Sequence, residues 1–210
     1  MERGKFIVLE GIDGSGKSSQ TGPLVKRLEA LGLPCRADRE PTGGPVGSLI
    51  RQIFTGRVSA DNRVIAALYA ADRLDHLVNE VDGLCAAIDR GITVVCDRYY
   101  FSSYAYHSVD VDMDWVIGAN ALSADLLRPT LTVFLDVPVE TALERIRKNR
   151  AVEEIFDRED RLRKTRELYF QAFDRLKDME RVAVVDGSGT REQVAERIWA
   201  AVAPCVSKGA

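Results

Sequence analysis

Histidine and cysteine are scarce in this chain of 210 residues. It contains two histidines and four cysteines, and the cysteines lie far apart, without a C-x-x-C pair. This pattern excludes a zinc site built from Cys and His ligands, and it excludes a disulfide framework. Four thiols without partners suit a reducing compartment, so we expect a cytoplasmic protein.

The chain also lacks a long hydrophobic run and an excess of positive charge. No apolar stretch approaches the roughly 20 residues that cross a bilayer, and the first strand-like run begins within four residues of the N-terminus, which leaves no room for a signal peptide. The formal net charge is −3, so no overall positive field attracts nucleic acid. We therefore expect neither a membrane nor a nucleic acid as a partner.

Five short apolar runs have the length and the β-branched content of strands. Helix-patterned segments separate them, and 46% of the residues are hydrophobic, which is enough for one core. The alternation predicts a single α/β domain over residues 1–210, with a parallel sheet of about five strands covered by helices on both faces. The predicted strands are Lys5–Leu9, a weak one at Pro34–Asp38, Ile92–Asp97, Leu131–Val137 and Arg181–Asp186.

A glycine-rich run follows the first predicted strand. EGIDGSGKSSQ, residues 10–20, satisfies G-x-x-x-x-G-K-[ST] with Gly11, Gly16, Lys17 and Ser18, and a helical pattern follows it. The glycines allow successive N–H groups to turn inward, Lys17 supplies a cation for the β and γ phosphates, and the Ser18 hydroxyl is a ligand for Mg²⁺. The run therefore predicts a three-layer P-loop NTPase fold that binds a nucleotide; the alternative is a glycine loop that only caps a helix.

A second stretch, VVCDRYYFSSYAYH at residues 94–107, places Asp97 and Arg98 at the end of the third strand. Beside a triphosphate site, a carboxylate can hold Mg²⁺ through water and a guanidinium can clamp a second phosphate group. The alternative is that Asp97 caps the next helix and pairs with Arg98.

Two further stretches suit a second substrate. REPTGGPVG, residues 39–47, is a glycine and proline loop that carries Arg39, and Arg51 lies on the helical segment after it. In ALYAADR, Tyr69 and Arg73 lie four residues apart and share a helix face, where a ring can stack on a base and a guanidinium can bond its edge. The alternative is a core tyrosine and a solvent-facing arginine.

Taken in order, these stretches resemble the motifs of the thymidylate kinase family. EGIDGSGKSSQ resembles its P-loop, REPTGG its phosphate-loop motif, LYAADR its base-stacking helix and DRYYFSSYAY its D-R-Y-x-x-S-x-x-A-Y signature. PTLTVFLDV is similar to the strand before its lid, and EEIFDREDRLRKTRELY resembles the lid-to-helix segment of archaeal members. The resemblance covers about residues 5–190. One departure is His107, which stands where the family often has glutamine.

The resemblance implies transfer of the γ-phosphoryl group of ATP to dTMP with Mg²⁺, in a homodimer built on the helix around residues 60–81. Lys17, Asp13 and Arg98 would act in catalysis, and Ser18 and Asp97 would hold the metal. The implied ATP-binding residues are Gly11, Ile12, Asp13, Gly14, Ser15, Gly16, Lys17, Ser18 and Asp186. The implied dTMP-binding residues are Asp13, Arg39, Arg51, Tyr69, Arg73, Arg98, Ser103 and Tyr106.

A cation near the transferred phosphoryl group is missing from the P-loop, which has no arginine between Asp13 and Ser18. Nine basic and five acidic side chains lie between residues 145 and 166, and ERIRKNR begins the lid, which we place at about residues 145–158. Of its arginines we favour Arg147 and Arg150 as catalytic, because Arg145 lies closer to the preceding helix. The alternative is a helix surface with ordinary ion pairs.

Two other functions remain open at this point. Another P-loop nucleoside or nucleoside monophosphate kinase, with a broader acceptor range, would share the P-loop and lid but lack the LYAADR and DRYYFSSYAY pair. A non-catalytic nucleotide switch would be expected to carry N-K-x-D or an acidic Walker B pair after an apolar strand, and the sequence has neither.

Overall fold

Five strands form one parallel sheet in the computed structural model of the chain, which describes residues 2–149 and 155–206. Every predicted strand is present, with bounds within one residue of the prediction at each end. The strands are β1 Phe6–Glu10, β2 Cys35–Arg39, β3 Thr93–Asp97, β4 Leu131–Asp136 and β5 Val182–Asp186.

The strand order is β2-β3-β1-β4-β5, so the strand that leads into the P-loop lies at the centre of the sheet. On one side of β1, Leu9 is in register with Asp97 of β3; on the other, Glu10 is in register with Phe134 of β4. Because all strands are parallel, their carboxyl ends meet at one edge, where ligands of open α/β sheets bind.

Ten α-helices and one 3-10 turn, His107–Val109, connect the strands within the described residues. None of these helices combines the length and the apolar character needed to span a membrane. The helices are α1 Lys17–Glu29, α2 Pro45–Phe54, α3 Asn62–Val78, α4 Leu84–Asp89, α5 Tyr100–Tyr106, α6 Met113–Ala119, α7 Ala121–Leu126, α8 Val139–Asn149, α9 Ile155–Leu176 and α10 Arg191–Val206.

Two hydrophobic cores lie on opposite faces of the sheet. Because side chains alternate along a strand, Phe6 and Val8 pack in one core with residues of α4, α5 and α9, while Ile7 and Leu9 pack in the other with α1 and α10. The result is the predicted three-layer α/β fold, with helices on both faces of the sheet.

Candidate active site

The P-loop backbone turns at glycines that no other residue could replace without strain. Gly11, Gly14 and Gly16 have φ of 149°, 81° and 102°. A Cβ at Gly11 would lie 2.8 Å from the Leu135 carbonyl oxygen, and one at Gly14 would lie 2.4 Å from that of Ala142. The loop therefore packs directly against β4 and α8 and enters α1 at Lys17, as the motif requires.

Lys17 lies under the loop with only 5% of its surface exposed. Its Nζ donates hydrogen bonds to the carbonyl oxygens of Gly11 at 2.8 Å and Ile12 at 3.0 Å. Burial, together with the positive charge of Arg98, lowers the pKa of Lys17 to about 8, against the opposing charges of nearby carboxylates. The ammonium group is thus held beside the backbone that would cradle phosphates.

The side chains of Ser18 and Asp97 meet next to Lys17. Ser18 Oγ donates to Asp97 Oδ2 at 2.5 Å. Asp97 Oδ1 is buried and accepts no hydrogen bond from the part of the chain that the structure describes. The Ser18 hydroxyl lies on the wall of a cavity beside the P-loop, and the carboxylate bonded to it keeps one oxygen without a partner among the described residues.

Arg98 follows Asp97 with φ of 75°, a left-handed conformation that residues other than glycine rarely adopt. Its Nη2 donates to Asp13 Oδ1 at 2.5 Å, and its Nη1 donates to Ser102 Oγ at 3.0 Å. The guanidinium lies 4.9 Å from the ring centroid of Tyr106, whose hydroxyl accepts a bond from the backbone N–H of Asp13 at 2.8 Å. These contacts join the P-loop to α5.

Among the cavities at this edge of the sheet, two have both Asp13 and Arg98 on their walls. We name the two cavities after the substrates predicted for them from the sequence. The donor cavity, of about 580 Å³, is lined by the P-loop, Arg145 and the loop between β5 and α10. The acceptor cavity, of about 540 Å³, is bounded by α3, α5 and α9. The predicted site residues on the acceptor cavity are Asp13, Tyr69, Arg73, Arg98, Ser103 and Tyr106.

Tyr69 and His107 form an aromatic wall of the acceptor cavity, with ring centroids 4.8 Å apart. Burial raises the pKa of Tyr69 to about 12. Burial and the charges of Arg73 and Arg161 lower the pKa of His107 to about 4. Both rings are therefore neutral at physiological pH.

Arg73 is 1% exposed, so it does not face bulk solvent. Its Nε donates to Glu40 Oε2 at 2.8 Å, and its Nη1 donates to Ser103 Oγ at 3.1 Å and to Asn120 Oδ1. The buried guanidinium is thereby held in one orientation at the cavity wall.

Two predicted acceptor arginines are not among the residues that line the cavity. Arg39 is exposed at the end of β2, in register with Asp97. Arg51 is exposed on α2 and donates to the Thr42 carbonyl oxygen at 2.5 Å and to Ser48 Oγ at 3.0 Å. Both lie beside the loop that follows β2, and their role as phosphate ligands stays a prediction.

Two further predicted residues, Asp186 and Arg147, do not line the donor cavity. Asp186 accepts a bond from the Ser188 N–H at 2.9 Å and pairs with Arg197 at 3.2 Å, while Gly187, Gly189 and Thr190 line the cavity instead. Arg147 is exposed on α8. Arg150 lies outside the described residues.

The family model of thymidylate kinase matches residues 9–198 of the chain. The chain belongs to the thymidylate kinase family. It is 38% identical to a probable thymidylate kinase of Methanocaldococcus jannaschii, over 79% of this chain and 80% of that one. It is 36% identical to the thymidylate kinase of Rhodopseudomonas palustris strain TIE-1, over 95% and 89%, and 37% identical to that of Syntrophotalea carbinolica, over 92% and 93%.

As a thymidylate kinase, the chain is an ATP-dependent enzyme that phosphorylates dTMP to dTDP. This result confirms the family and the activity predicted from the motifs, and it favours an enzyme over a non-catalytic nucleotide switch.

Several residues that border the two cavities of this thymidylate kinase were not among the residues favoured from the sequence. Arg145, which we set aside in favour of Arg147 and Arg150, donates to Gly187 O at 3.0 Å and Ser15 O at 3.2 Å in the donor cavity. Three side chains of α9 line the acceptor cavity and were given no role from the sequence, although they lie in the quoted lid-to-helix segment: Arg161, Leu162 and Thr165. A basic residue at the start of the lid was the one signal available for Arg145.

Proposed function

We propose that this thymidylate kinase transfers the phosphoryl group at the point where its two cavities meet. ATP occupies the donor cavity and dTMP the acceptor cavity. An oxygen of the dTMP phosphate attacks the γ-phosphorus, and the bond to the β-phosphate oxygen breaks. The observation that carries the proposal is the position of Asp13 and Arg98 on the walls of both cavities. Phosphoryl transfer needs mainly alignment and charge stabilisation, which such a junction supplies.

In the donor cavity, the N–H groups of residues 11–18 cradle the phosphates and Lys17 approaches the β and γ phosphates. Its present partners, the carbonyl oxygens of Gly11 and Ile12, support this role because they hold the ammonium at the loop. The loop at Asp186 flanks the adenine, with Gly187 to Thr190 nearest to the cavity.

The donor set at Ser18 and Asp97 fits Mg²⁺. A hydroxyl and a carboxylate are hard oxygen ligands, and the buried Asp97 Oδ1 has no protein partner in the described ranges. Those ranges contain no group of three or more acidic, His or Cys side chains suited to a metal ion, which agrees with a cation that also takes ligands from the nucleotide. When bound, Mg²⁺ neutralises charge on the β and γ phosphate oxygens.

In the acceptor cavity, Tyr69 stacks on the thymine ring and Arg73 donates to its carbonyl edge. Ser103 and Tyr106 border the sugar and base. Arg98, with Arg39 and Arg51 at the rim, holds the dTMP phosphate. The cation that the P-loop lacks comes from the lid, from Arg147 or Arg150.

We further propose that the enzyme is a homodimer in the cytoplasm. The outward face of α3 supports the dimer because it exposes small and apolar side chains: Val64, Ala67, Ala71 and Val78. All four cysteines are free thiols, as a reducing compartment requires.

The donor and acceptor assignments are tested by two alanine variants in a steady-state assay of ADP release. Lys17→Ala is expected to lower kcat by several powers of ten, because a positioned cation on the transferring phosphates is lost. Arg98→Ala is expected to raise the KM for dTMP about tenfold or more and the KM for ATP by less than about threefold, because the guanidinium clamps the acceptor phosphate.

Arg3→Ala is the matched control, since Arg3 is an exposed arginine paired with Asp89 before β1 and far from both cavities. Its kinetic constants should equal those of the parent enzyme. Near-normal turnover in folded Lys17→Ala, or an equal rise of both KM values in Arg98→Ala, would contradict the assignment.

A further inference from the structure

Glu10 is a buried carboxylate directly before the P-loop, and none of the roles above involves it. It is the last residue of β1, adjoins Gly11, and is 0% exposed. A carboxylate taken out of water is retained only where hydrogen bonds or charges compensate the lost hydration. Its partners therefore indicate what it does.

Both carboxylate oxygens of Glu10 accept hydrogen bonds from the segment that follows Arg98. Oε1 accepts from the backbone N–H groups of Tyr99 at 2.9 Å and Ser102 at 3.1 Å. Oε2 accepts from the hydroxyls of Ser102 at 2.6 Å and Tyr169 at 2.8 Å. The two N–H groups can only donate, and the two hydroxyls lie where they can donate as well. Burial raises the pKa of Glu10, and these hydrogen bonds, together with the charge of Arg98, oppose that shift.

Two of these bonds replace a cap that α5 lacks. The helix begins at Tyr100, and no side chain of its own caps it. The N–H groups of Tyr99 and Ser102 are those that a capping side chain normally satisfies. Glu10 supplies these acceptors from the central strand, 89 and 92 residues away in the chain.

The same contacts surround Arg98. Its left-handed backbone, with φ of 75°, directly precedes Tyr99, so the bond from the Tyr99 N–H to Glu10 holds the chain where it leaves that conformation. The Arg98 Nη1 donates to Ser102 Oγ at 3.0 Å, and Ser102 Oγ donates in turn to Glu10. Glu10 is thus linked by hydrogen bonds to the residue after Arg98 and, through the Ser102 hydroxyl, to the Arg98 guanidinium.

We propose that Glu10 is a positioning residue for Arg98, holding its left-handed backbone and, through Ser102, directing its guanidinium to the acceptor phosphate. The inference rests on the proposed role of Arg98 as the clamp on dTMP. It assigns a function in acceptor binding to a side chain that lies outside the reacting groups.

Glu10→Gln is the first test. The glutamine keeps the size and one oxygen for the two N–H groups, but its NH₂ group can only donate, so the hydroxyls of Ser102 and Tyr169 would have to turn and accept from it. We expect the KM for dTMP to rise about tenfold and the KM for ATP to change by less than about twofold, because the effect passes through Arg98. A general loss of structure would change both constants or kcat alone.

Glu180→Gln is the matched control. The Glu180 side chain is 4% exposed and accepts a bond from the Tyr100 hydroxyl at 2.8 Å, so it is a buried carboxylate that contacts the same helix without approaching Arg98. Both KM values should stay at the parent level. A rise in the KM for dTMP in this control equal to that in Glu10→Gln would overturn the inference.

A double-mutant cycle separates positioning from packing. In an Arg98→Ala background, Glu10→Gln should change the KM for dTMP by less than about twofold, because the residue through which it acts is gone. Additive effects would overturn the inference. If Arg98→Ala by itself has no selective effect on the KM for dTMP, the proposed function fails; if it has one and Glu10→Gln has none, only the role of Glu10 fails.

Should Glu10→Gln not fold, Ser102→Ala tests the same link, because it removes the hydroxyl between Glu10 and Arg98 and keeps the Ser102 N–H. We expect a selective rise in the KM for dTMP of about threefold, again lost in the Arg98→Ala background. An unchanged KM for dTMP, or a rise that persists without Arg98, would overturn the inference.

Discussion

The two histidines of the chain lie in opposite electrostatic environments. His76 has its ring nitrogens 3.2 Å from Asp38 Oδ1 and 3.1 Å from Glu40 Oε1. Burial by itself would lower its pKa, but the hydrogen bonds and charges of the two carboxylates raise the pKa of His76 to about 9. His107, buried near two arginines, has its pKa lowered to about 4. At neutral pH His76 is charged and His107 is not.

The raised pKa of His76 predicts a loss of stability at alkaline pH. Its charged form stabilises the fold in full below the unfolded pKa of about 6.5, and this contribution is lost as the pH rises towards 9. Relative to His76→Gln, the free energy of unfolding of the parent should fall by about 1 kcal/mol between pH 7 and pH 8. Urea unfolding at the two pH values measures this difference.

His107→Gln is the control for that experiment. With a folded pKa of about 4 and an unfolded pKa of about 6.5, titration of His107 changes the free energy of unfolding by only about 0.1 kcal/mol between pH 7 and pH 8. This variant should therefore lose stability over that range as the parent does. An identical pH dependence in His76→Gln and the parent would show that the ion pairs of His76 do not contribute.

At the scale of elements, α8 borders the donor cavity and contains the start of the predicted lid. Arg145 donates to carbonyl oxygens of Ser15 in the P-loop and Gly187 after β5, so this helix joins two loops that border the nucleotide. Arg147 lies two residues later, about 200° around the helix, and is exposed. The two arginines are therefore expected to act differently.

Variants of the α8 and lid arginines test this division of roles. Arg145→Ala should raise the KM for ATP about tenfold, because the donor loops lose their link. Arg147→Ala or Arg150→Ala should lower kcat by roughly 10³-fold or more, because a guanidinium that meets the transferring phosphoryl group is worth that much.

The control for the lid variants is Arg175→Ala, an exposed arginine on α9 that pairs with Asp114. It should leave kcat unchanged. If both Arg147→Ala and Arg150→Ala keep kcat within about threefold of the parent, the activation free energy changes by less than about 0.7 kcal/mol. Other groups then stabilise the charge of the transition state.

For the whole molecule, the exposed face of α3 predicts the oligomeric state. Val64 is 50% exposed and Val78 is 57% exposed, and they lie on one face of the helix. Burial of this face in a dimer would remove apolar surface from water. Val64→Asp should convert a species of twice 23.3 kDa into a monomer, as measured by sedimentation velocity.

Val184→Asp is the matched control, because Val184 is equally exposed, at 54%, but lies on β5 at the far edge of the sheet. It should remain a dimer. A monomeric parent enzyme, or a dimer that Val64→Asp leaves intact, would contradict the proposed interface.

The local pattern of the sequence was sufficient to predict the five strands and the P-loop. Strand runs and the glycines of residues 11–16 act over a few neighbours, so even the weak run at Pro34–Asp38 was found, as Cys35–Arg39. The strand order β2-β3-β1-β4-β5 could not be predicted from this pattern, because the alternation of strands and helices indicates a parallel sheet but not which strands pair.

The sequence by itself determined the fold class, the nucleotide loop and the family, since each depends on residue types at short, fixed spacing. Only the tertiary structure decided that Arg98 contacts Asp13 across 85 residues, that Glu10 accepts bonds from Ser102 and from Tyr169, and that Arg145 faces the donor loops. These contacts join β1, α5, α8 and α9, which are far apart in the chain. The spacing of residues along the sequence does not show which buried polar groups form hydrogen bonds with one another, so these contacts could not be predicted from it.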